Sequence, residues 1–111
     1  MIRLDLGRIT LGLLVLASFA ALAHGSGKSV ITNNTSGSKK YAKVEFNKKV
    51  KVTSLDPDGQ FSDAAKKLHV FCWGQEPYQP INKKQSVTIK WTTTDDPPIT
   101  IKASKWTNSN P

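Results

Sequence analysis

Apolar and polar residues alternate along the chain from Tyr41 onward. Between positions 42 and 52 the valines, the alanine and the phenylalanine fall on even positions, and most lysines fall on odd ones. Strict alternation is typical of a strand with one buried and one solvated face. The pattern predicts two strands joined by a tight hairpin turn at residues 47–49, and a single bent strand through that point is the alternative.

The second half of the chain predicts further strands. Residues 56–59 (Asp-Pro-Asp-Gly) indicate a turn, and residues 62–67 favour one short helical turn. Residues 68–73 are apolar on both faces, which is typical of a central strand. Two threonine-rich alternating segments, 87–92 and 99–104, flank an Asp-Asp-Pro-Pro breaker and predict a hairpin.

Strands at this spacing predict an all-β fold. We expect a small β-sandwich or open barrel of five or six strands over residues 41–106, and the length of 111 residues allows one domain. Residues 24–40 are small and polar, so a flexible segment is expected there, with 29–32 as a short candidate strand. Residues 107–111 are predicted to form a loose tail.

Residues 1–23 have the features of a secretory signal peptide. Arg3 and Arg8 precede an apolar run over residues 11–22, and Ala21 and Ala23 occupy the −3 and −1 positions of a cleavage site. The run is shorter than the roughly 20 residues of a membrane-spanning helix. We therefore expect cleavage after Ala23, export to the extracellular space and no stable membrane insertion; a retained anchor is the alternative.

The chain is strongly basic, with 16 Lys+Arg against 8 Asp+Glu and a formal net charge of +8. Beyond residue 23 every basic side chain that remains, other than histidine, is lysine. Arginine is the residue that makes bidentate phosphate and guanine contacts, so its absence argues against nucleic acid as the partner. A solvated surface is the first interpretation of the clustered lysines. If they converge on one side of the fold, they form a docking patch for an acidic partner: Lys39, Lys40, Lys48, Lys49, Lys51, Lys66, Lys67, Lys83 and Lys84.

Reactive side chains are sparse. One cysteine and two histidines exclude an internal disulfide and a Cys/His zinc cluster. Cys72 lies in an apolar segment and is interpreted as an inert core thiol. The acidic residues fall mostly in predicted turns, and no triad or carboxylate pair is evident, so we predict a protein without catalysis or cofactor.

Aromatic and asparagine residues offer further candidate sites. Core positions are the favoured interpretation of Trp73 and Trp106. If exposed, these rings would stack on sugars, and this makes a cell-wall or glycan-binding module the second functional hypothesis. Asn33 and Asn34 begin two overlapping glycosylation sequons, Asn-Asn-Thr and Asn-Thr-Ser. A plain polar turn is the alternative interpretation of that segment.

A copper site is the third hypothesis. Cleavage after Ala23 would make His24 the N-terminal residue, whose amine and imidazole could bind one metal together with His69. This pairing resembles the histidine brace of copper monooxygenases and periplasmic copper carriers. The resemblance implies Cu(II), which favours tetragonal nitrogen ligands.

The leader, the small basic body and the strand pattern over residues 41–106 together resemble the small secreted effectors of plant-pathogenic fungi, in particular the ToxB-like (MAX) β-sandwich group. Members of that group carry a cysteine pair that bridges the two sheets, whereas this chain has only Cys72. The resemblance implies a non-enzymatic virulence protein that binds a host protein through a sheet edge and surface lysines, outside or inside host cells. Locally, residues 86–101 resemble the immunoglobulin-like repeat of fungal Ser/Thr-rich wall proteins.

Overall fold

The structure is a computed structural model that describes residues 25–111. It confirms the predicted all-β class, because this part of the chain forms five antiparallel strands in one open sheet and no helix. The expected signal peptide, residues 1–23, lies outside the described residues. The strands are β1 (Gly25–Thr32), β2 (Tyr41–Asp56), β3 (Lys66–Cys72), β4 (Ser86–Thr93) and β5 (Ile101–Thr107).

The long strand β2 organises the sheet. The strand order is β1-β4-β2-β3, and β5 also pairs with β2. The first half of β2 pairs with β3 on one edge and with β5 on the other, while its second half pairs with β4. The connection between β4 and β5 follows the middle of β2, where the Asn47 amide donates to the Thr100 carbonyl at 2.9 Å. Strands β4 and β5 therefore occupy successive stretches of the same edge of β2.

Two predicted hairpins are wrong. No turn forms at residues 47–49, because β2 runs through them as one 16-residue strand. There the Asn47 side chain donates to the Pro98 carbonyl at 3.0 Å and accepts from the Thr100 amide at 2.8 Å, which ties the strand to the β4–β5 connection. The predicted pairing of segments 87–92 and 99–104 is also absent, since β4 and β5 both pair with β2 instead.

The predicted alternation of β2 is confirmed by burial. Its even-numbered apolar residues from Ala42 to Val52 are fully buried, and a register shift after Val52 then turns Leu55 inward. Strand β4 contributes Val87, Ile89 and Trp91 to the same core. Each such side chain stabilises the fold by roughly 1.5–3 kcal/mol when it leaves water.

Strand β3 is an edge strand rather than the predicted central strand. His69 and Phe71 point into the core, but Leu68 and Val70 are 45% and 38% exposed. Cys72, expected in the core, is half-buried on the same outward side of the strand. The predicted helical turn at 62–67 is also absent, because Lys66 and Lys67 already belong to β3.

The segment expected to be flexible before residue 41 contains a strand. Gly25–Thr32 pairs with β4 along its whole length, so β1 forms the other end of the sheet. The glycine at position 27 allows this approach, since a Cβ there would lie 2.7 Å from the Trp91 ring. The tail predicted at residues 107–111 starts one residue too early, because Thr107 belongs to β5 and pairs with Tyr41. Asn108 accepts a hydrogen bond from the Lys40 amide at 3.1 Å.

Candidate protein-docking surface

The solvent-facing side of the β3–β2–β5 sheet carries the most distinctive surface of the described chain, and we call it the outer face. It is formed by the residues of these strands that alternate with the buried ones. The register places them in three rows across the strands: Leu68, Glu45 and Ala103; Val70, Lys43 and Lys105; and Cys72, Tyr41 and Thr107.

The outer edge of β3 is open next to this face. In an antiparallel strand successive residues direct their backbone groups to opposite edges. The Trp73 amide donates to the Lys40 carbonyl at 2.7 Å, toward β2, while Cys72 exchanges two backbone hydrogen bonds with Gln60 on the outer edge at 2.8 and 3.1 Å. Leu68 and Val70 share the direction of Cys72. No strand of residues 25–111 pairs with them there.

Leu68 and Val70 also expose their side chains. They are two positions apart on β3, so their side chains lie next to each other on the outer face. A shallow groove of about 160 Å³ runs from Leu68 between Lys43 and Glu45 to Ala103, Ser104 and Lys105. The open backbone edge and the apolar side chains are therefore adjacent, and both can be reached by an extended segment of another molecule.

The predicted lysine patch divides into two groups. Lys66 is the Cα partner of Val50, so Lys66 and Lys67 adjoin Lys49 and Lys51 near the start of β3. The same region holds Lys48, whose Nζ donates to the Asp96 carbonyl at 2.5 Å.

The second group surrounds the loop that follows β1. The Lys39 amide donates to the Ile81 carbonyl at 2.9 Å, and the Lys84 amide donates to the Asn33 carbonyl at 2.7 Å. Lys40 and Lys83 are their chain neighbours. The two lysine groups lie near opposite ends of β4, which is about 23 Å long at about 3.3 Å per residue. The first group is therefore the one that adjoins the open edge of β3.

The lysine predictions missed Lys43 and Lys105, which lie on the outer face itself. Isolated lysines in alternating strands give no clustering signal along the sequence. Their proximity depends on the register between β2 and β5, in which they are direct Cα partners. The alternation would have placed each on a solvated face, but not on the same row.

The tryptophans do not form the predicted sugar-stacking platform. Trp73 is fully buried, and its Nε1 donates to the Pro57 carbonyl at 3.0 Å. Trp106 is half-buried and stacks on Trp73 with ring centroids 5.8 Å apart and planes 23° apart. The Trp106 Nε1 is buried without a hydrogen-bond partner within residues 25–111. Trp73 is therefore a core residue that supports the end of β3, and a glycan cannot reach it.

His69 is a buried structural residue. Its Nε2 lies 3.1 Å from the Val50 carbonyl and 2.9 Å from the Lys66 carbonyl, so Nε2 carries a proton and is not available to a metal. Burial lowers the pKa of His69, which keeps the ring neutral. His24, the other proposed copper ligand, lies outside the described residues. From residue 25 to 111 no three His, Cys, Asp or Glu side chains cluster as metal ligands would.

Asn33 and Asn34 differ completely in environment. Asn33 is fully buried, where its Nδ2 donates to the Gly37 and Ile81 carbonyls and its Oδ1 accepts from the Thr35 amide and hydroxyl. A glycan on Asn33 is incompatible with this fold, so that predicted acceptor is wrong. Asn34 is exposed and keeps its sequon.

No family model matches this chain, and comparisons with curated proteins and with solved structures also give no match. Over residues 25–111 there is no helix that is long and apolar enough to cross a membrane.

Proposed function

We propose that this chain is a secreted, non-enzymatic binding protein, effector-like, that docks on a host protein through the open edge of β3. The observation that carries the proposal is the coincidence of two exposed apolar side chains, Leu68 and Val70, with the unpaired backbone edge of the same strand. An adjacent apolar pair on an edge strand is the kind of feature that soluble proteins otherwise avoid.

The proposed contact is strand addition. An extended segment of the partner would pair with the outward backbone groups of Leu68 and Val70, and its alternate side chains would pack on the apolar pair. Lys66 and Lys67 lie at the start of the same strand and would attract an acidic partner. Gln60, which already pairs with Cys72, marks the end where the added strand would stop.

The two rival hypotheses have weaker support. Trp73 cannot contribute to a glycan platform because it is buried in the core. The ring of Trp106 is partly covered because it stacks on Trp73. The Nε2 of His69 cannot bind copper because it donates its proton to backbone carbonyls. No observation in residues 25–111 favours either one over strand addition.

A proline placed on the edge tests the proposal. The Val70 amide points away from β2, so Val70→Pro removes a donor from the open edge without breaking the ladder to β2. Ser104→Pro is the matched control, because Ser104 lies on β5 with its amide directed to the other open edge. The full chain, secreted from a eukaryotic host and immobilised, is used to capture proteins from a leaf extract.

The expected result is a protein that wild type and Ser104→Pro both retain and that Val70→Pro loses, with all three variants unfolding at similar denaturant concentrations. Equal retention by Val70→Pro would overturn strand addition at β3. Repeated recovery of polysaccharide alone would overturn the proposal in favour of wall binding.

A further inference from the structure

We infer that Lys43 and Lys105 form an anion seat on the outer face that receives a carboxylate from an acidic side chain of the partner protein. This inference rests on the proposed docking function. The two residues are direct Cα partners on β2 and β5, and both are exposed. They lie in the same row as Val70.

The pair is unfavourable in the isolated chain. Like charges directly opposite each other across an antiparallel pair destabilise a sheet. The acidic residue in the neighbouring row is Glu45, and its Oε2 lies 3.9 Å from the Nζ of Lys102 on β5. Glu45 is therefore paired with Lys102, and the outer face keeps an excess of positive charge around Lys43 and Lys105. A carboxylate from another molecule would neutralise that excess.

The shape of the outer face permits this contact. Lys43 and Lys105 both line the groove that leads to Leu68, and both also line a second groove of about 280 Å³ toward the C-terminal residues Ser109 to Pro111. The two lysines thus form a ridge that is accessible from both sides. Three neighbouring strands span about 10 Å. The partner is therefore expected to present an acidic side chain within about 10 Å of an apolar one that packs on Leu68 or Val70.

The molecule contains its own control for this feature. Lys28 and Lys90 are also direct Cα partners, on β1 and β4, and both are exposed. That pair lies on the other half of the sheet, where Val30 is an isolated exposed apolar residue. Changing either pair to opposite charges alters the net charge equally, but only Lys43 and Lys105 adjoin the proposed docking edge.

The test compares Lys105→Glu with Lys90→Glu in the full chain. Each substitution replaces a repulsive cross-strand pair with an attractive one, so each is expected to raise the thermal midpoint by about 4 °C. Binding is measured by titration with a short peptide that carries valine and glutamate two positions apart, so that both lie on one face of an extended strand, and with the same peptide carrying glutamine in place of glutamate. We expect wild type to prefer the glutamate peptide and Lys105→Glu to bind it about tenfold more weakly.

Lys90→Glu is expected to keep wild-type affinity for the glutamate peptide. Equal weakening by both variants would show a general attraction to positive charge and would overturn the seat. Equal binding of the two peptides by wild type would overturn it as well. If Val70→Pro abolishes capture of the partner while Lys105→Glu leaves it unchanged, the docking function stands and the anion seat is wrong.

Discussion

Strands β1 and β3 are both edge strands of the sheet, as β5 is, but β1 and β3 are built differently. The outward face of β1 carries Ser26, Lys28 and Val30, so its exposed valine stands alone among polar neighbours. The outward face of β3 carries Leu68 and Val70 side by side, and its lysines are confined to one end. Lysine on an edge strand discourages unwanted pairing.

The difference lies in how each edge is protected against association. On β1, Lys28 lies two positions from Val30 on the outward face, where a charge discourages strand pairing. On β3 the protection is limited to Gln60, which covers the backbone of Cys72 and leaves the preceding residues open. Strand β3 therefore has an exposed apolar pair beside an unpaired backbone edge, whereas β1 exposes a single valine.

The largest expected effect concerns the support of the β3 edge. Trp73→Ala removes a fully buried ring at the end of that strand and should lower the free energy of unfolding by about 4 kcal/mol. Trp106→Ala removes the half-buried ring stacked on it and should cost about half of that. Urea denaturation of both variants measures the difference, and equal costs would contradict the assignment of Trp73 as the supporting residue.

The corresponding anchor on the β1 side is Asn33. Asn33→Ala leaves the Ile81 and Gly37 carbonyls and the Thr35 amide without their partner, and should cost about 3 kcal/mol. Asn34→Ala, at the exposed neighbouring position, should change stability by less than about 0.5 kcal/mol. The same denaturation measurement tests the pair, and a large loss in Asn34→Ala would show that the loop is held differently.

A smaller effect on the free energy of unfolding depends on pH and arises on the β3 side, from the buried His69. Burial lowers the pKa of His69, two backbone hydrogen bonds raise it, and the charge of Lys66 lowers it, with a net decrease from 6.5. The unfolded chain then binds the proton more tightly than the folded chain. The stability contributed by neutral His69 is therefore complete above pH 6.5 and is lost as pH falls through the folded pKa.

Denaturation at a series of pH values should show this decline in wild type, and His69→Phe should remove that component of it. An unchanged pH dependence in His69→Phe would mean that the titrating group lies elsewhere.

The smallest expected change in stability comes from the exposed valines. Val30→Thr and Val70→Thr should each alter the free energy of unfolding by less than about 0.5 kcal/mol. Only Val70→Thr should reduce capture of the leaf protein, because only Val70 belongs to an apolar pair on the open edge. Equal capture by the two variants would remove the functional distinction between β1 and β3.

Local pattern predicted which residues face inward, but not which strands meet. Alternation correctly placed Val44, Phe46 and Val52 inside, since side-chain direction follows from strand geometry alone. The hairpin at Asn47 was wrong because the side chain of that residue satisfies backbone groups more than fifty positions away. An asparagine between two alternating segments locally predicts a turn. Only the pairing of distant strands shows that the chain continues through Asn47 as one strand.

The candidate site was less predictable than the fold. The clustered lysines were visible in the sequence, but Lys43 and Lys105 were not, since their proximity is a matter of register. The sequence left Trp73 open between a core position and a binding platform, because its burial depends on Pro57 and on the close approach of Gly59, where a Cβ would lie 2.5 Å from the indole nitrogen. The turn at residues 56–59, which makes these contacts, was predicted from the sequence. That it packs against Trp73 could not be predicted.

Because β3, β4 and β5 all pair with β2, this strand also determines the order in which the sheet can fold. Tyr41, at the beginning of β2, pairs with Thr107, at the end of β5, so the sheet closes only when nearly the whole chain is available. Contacts this distant in sequence form slowly. A nascent polypeptide cannot complete the ladder between β2 and β5 until its last strand has been synthesised.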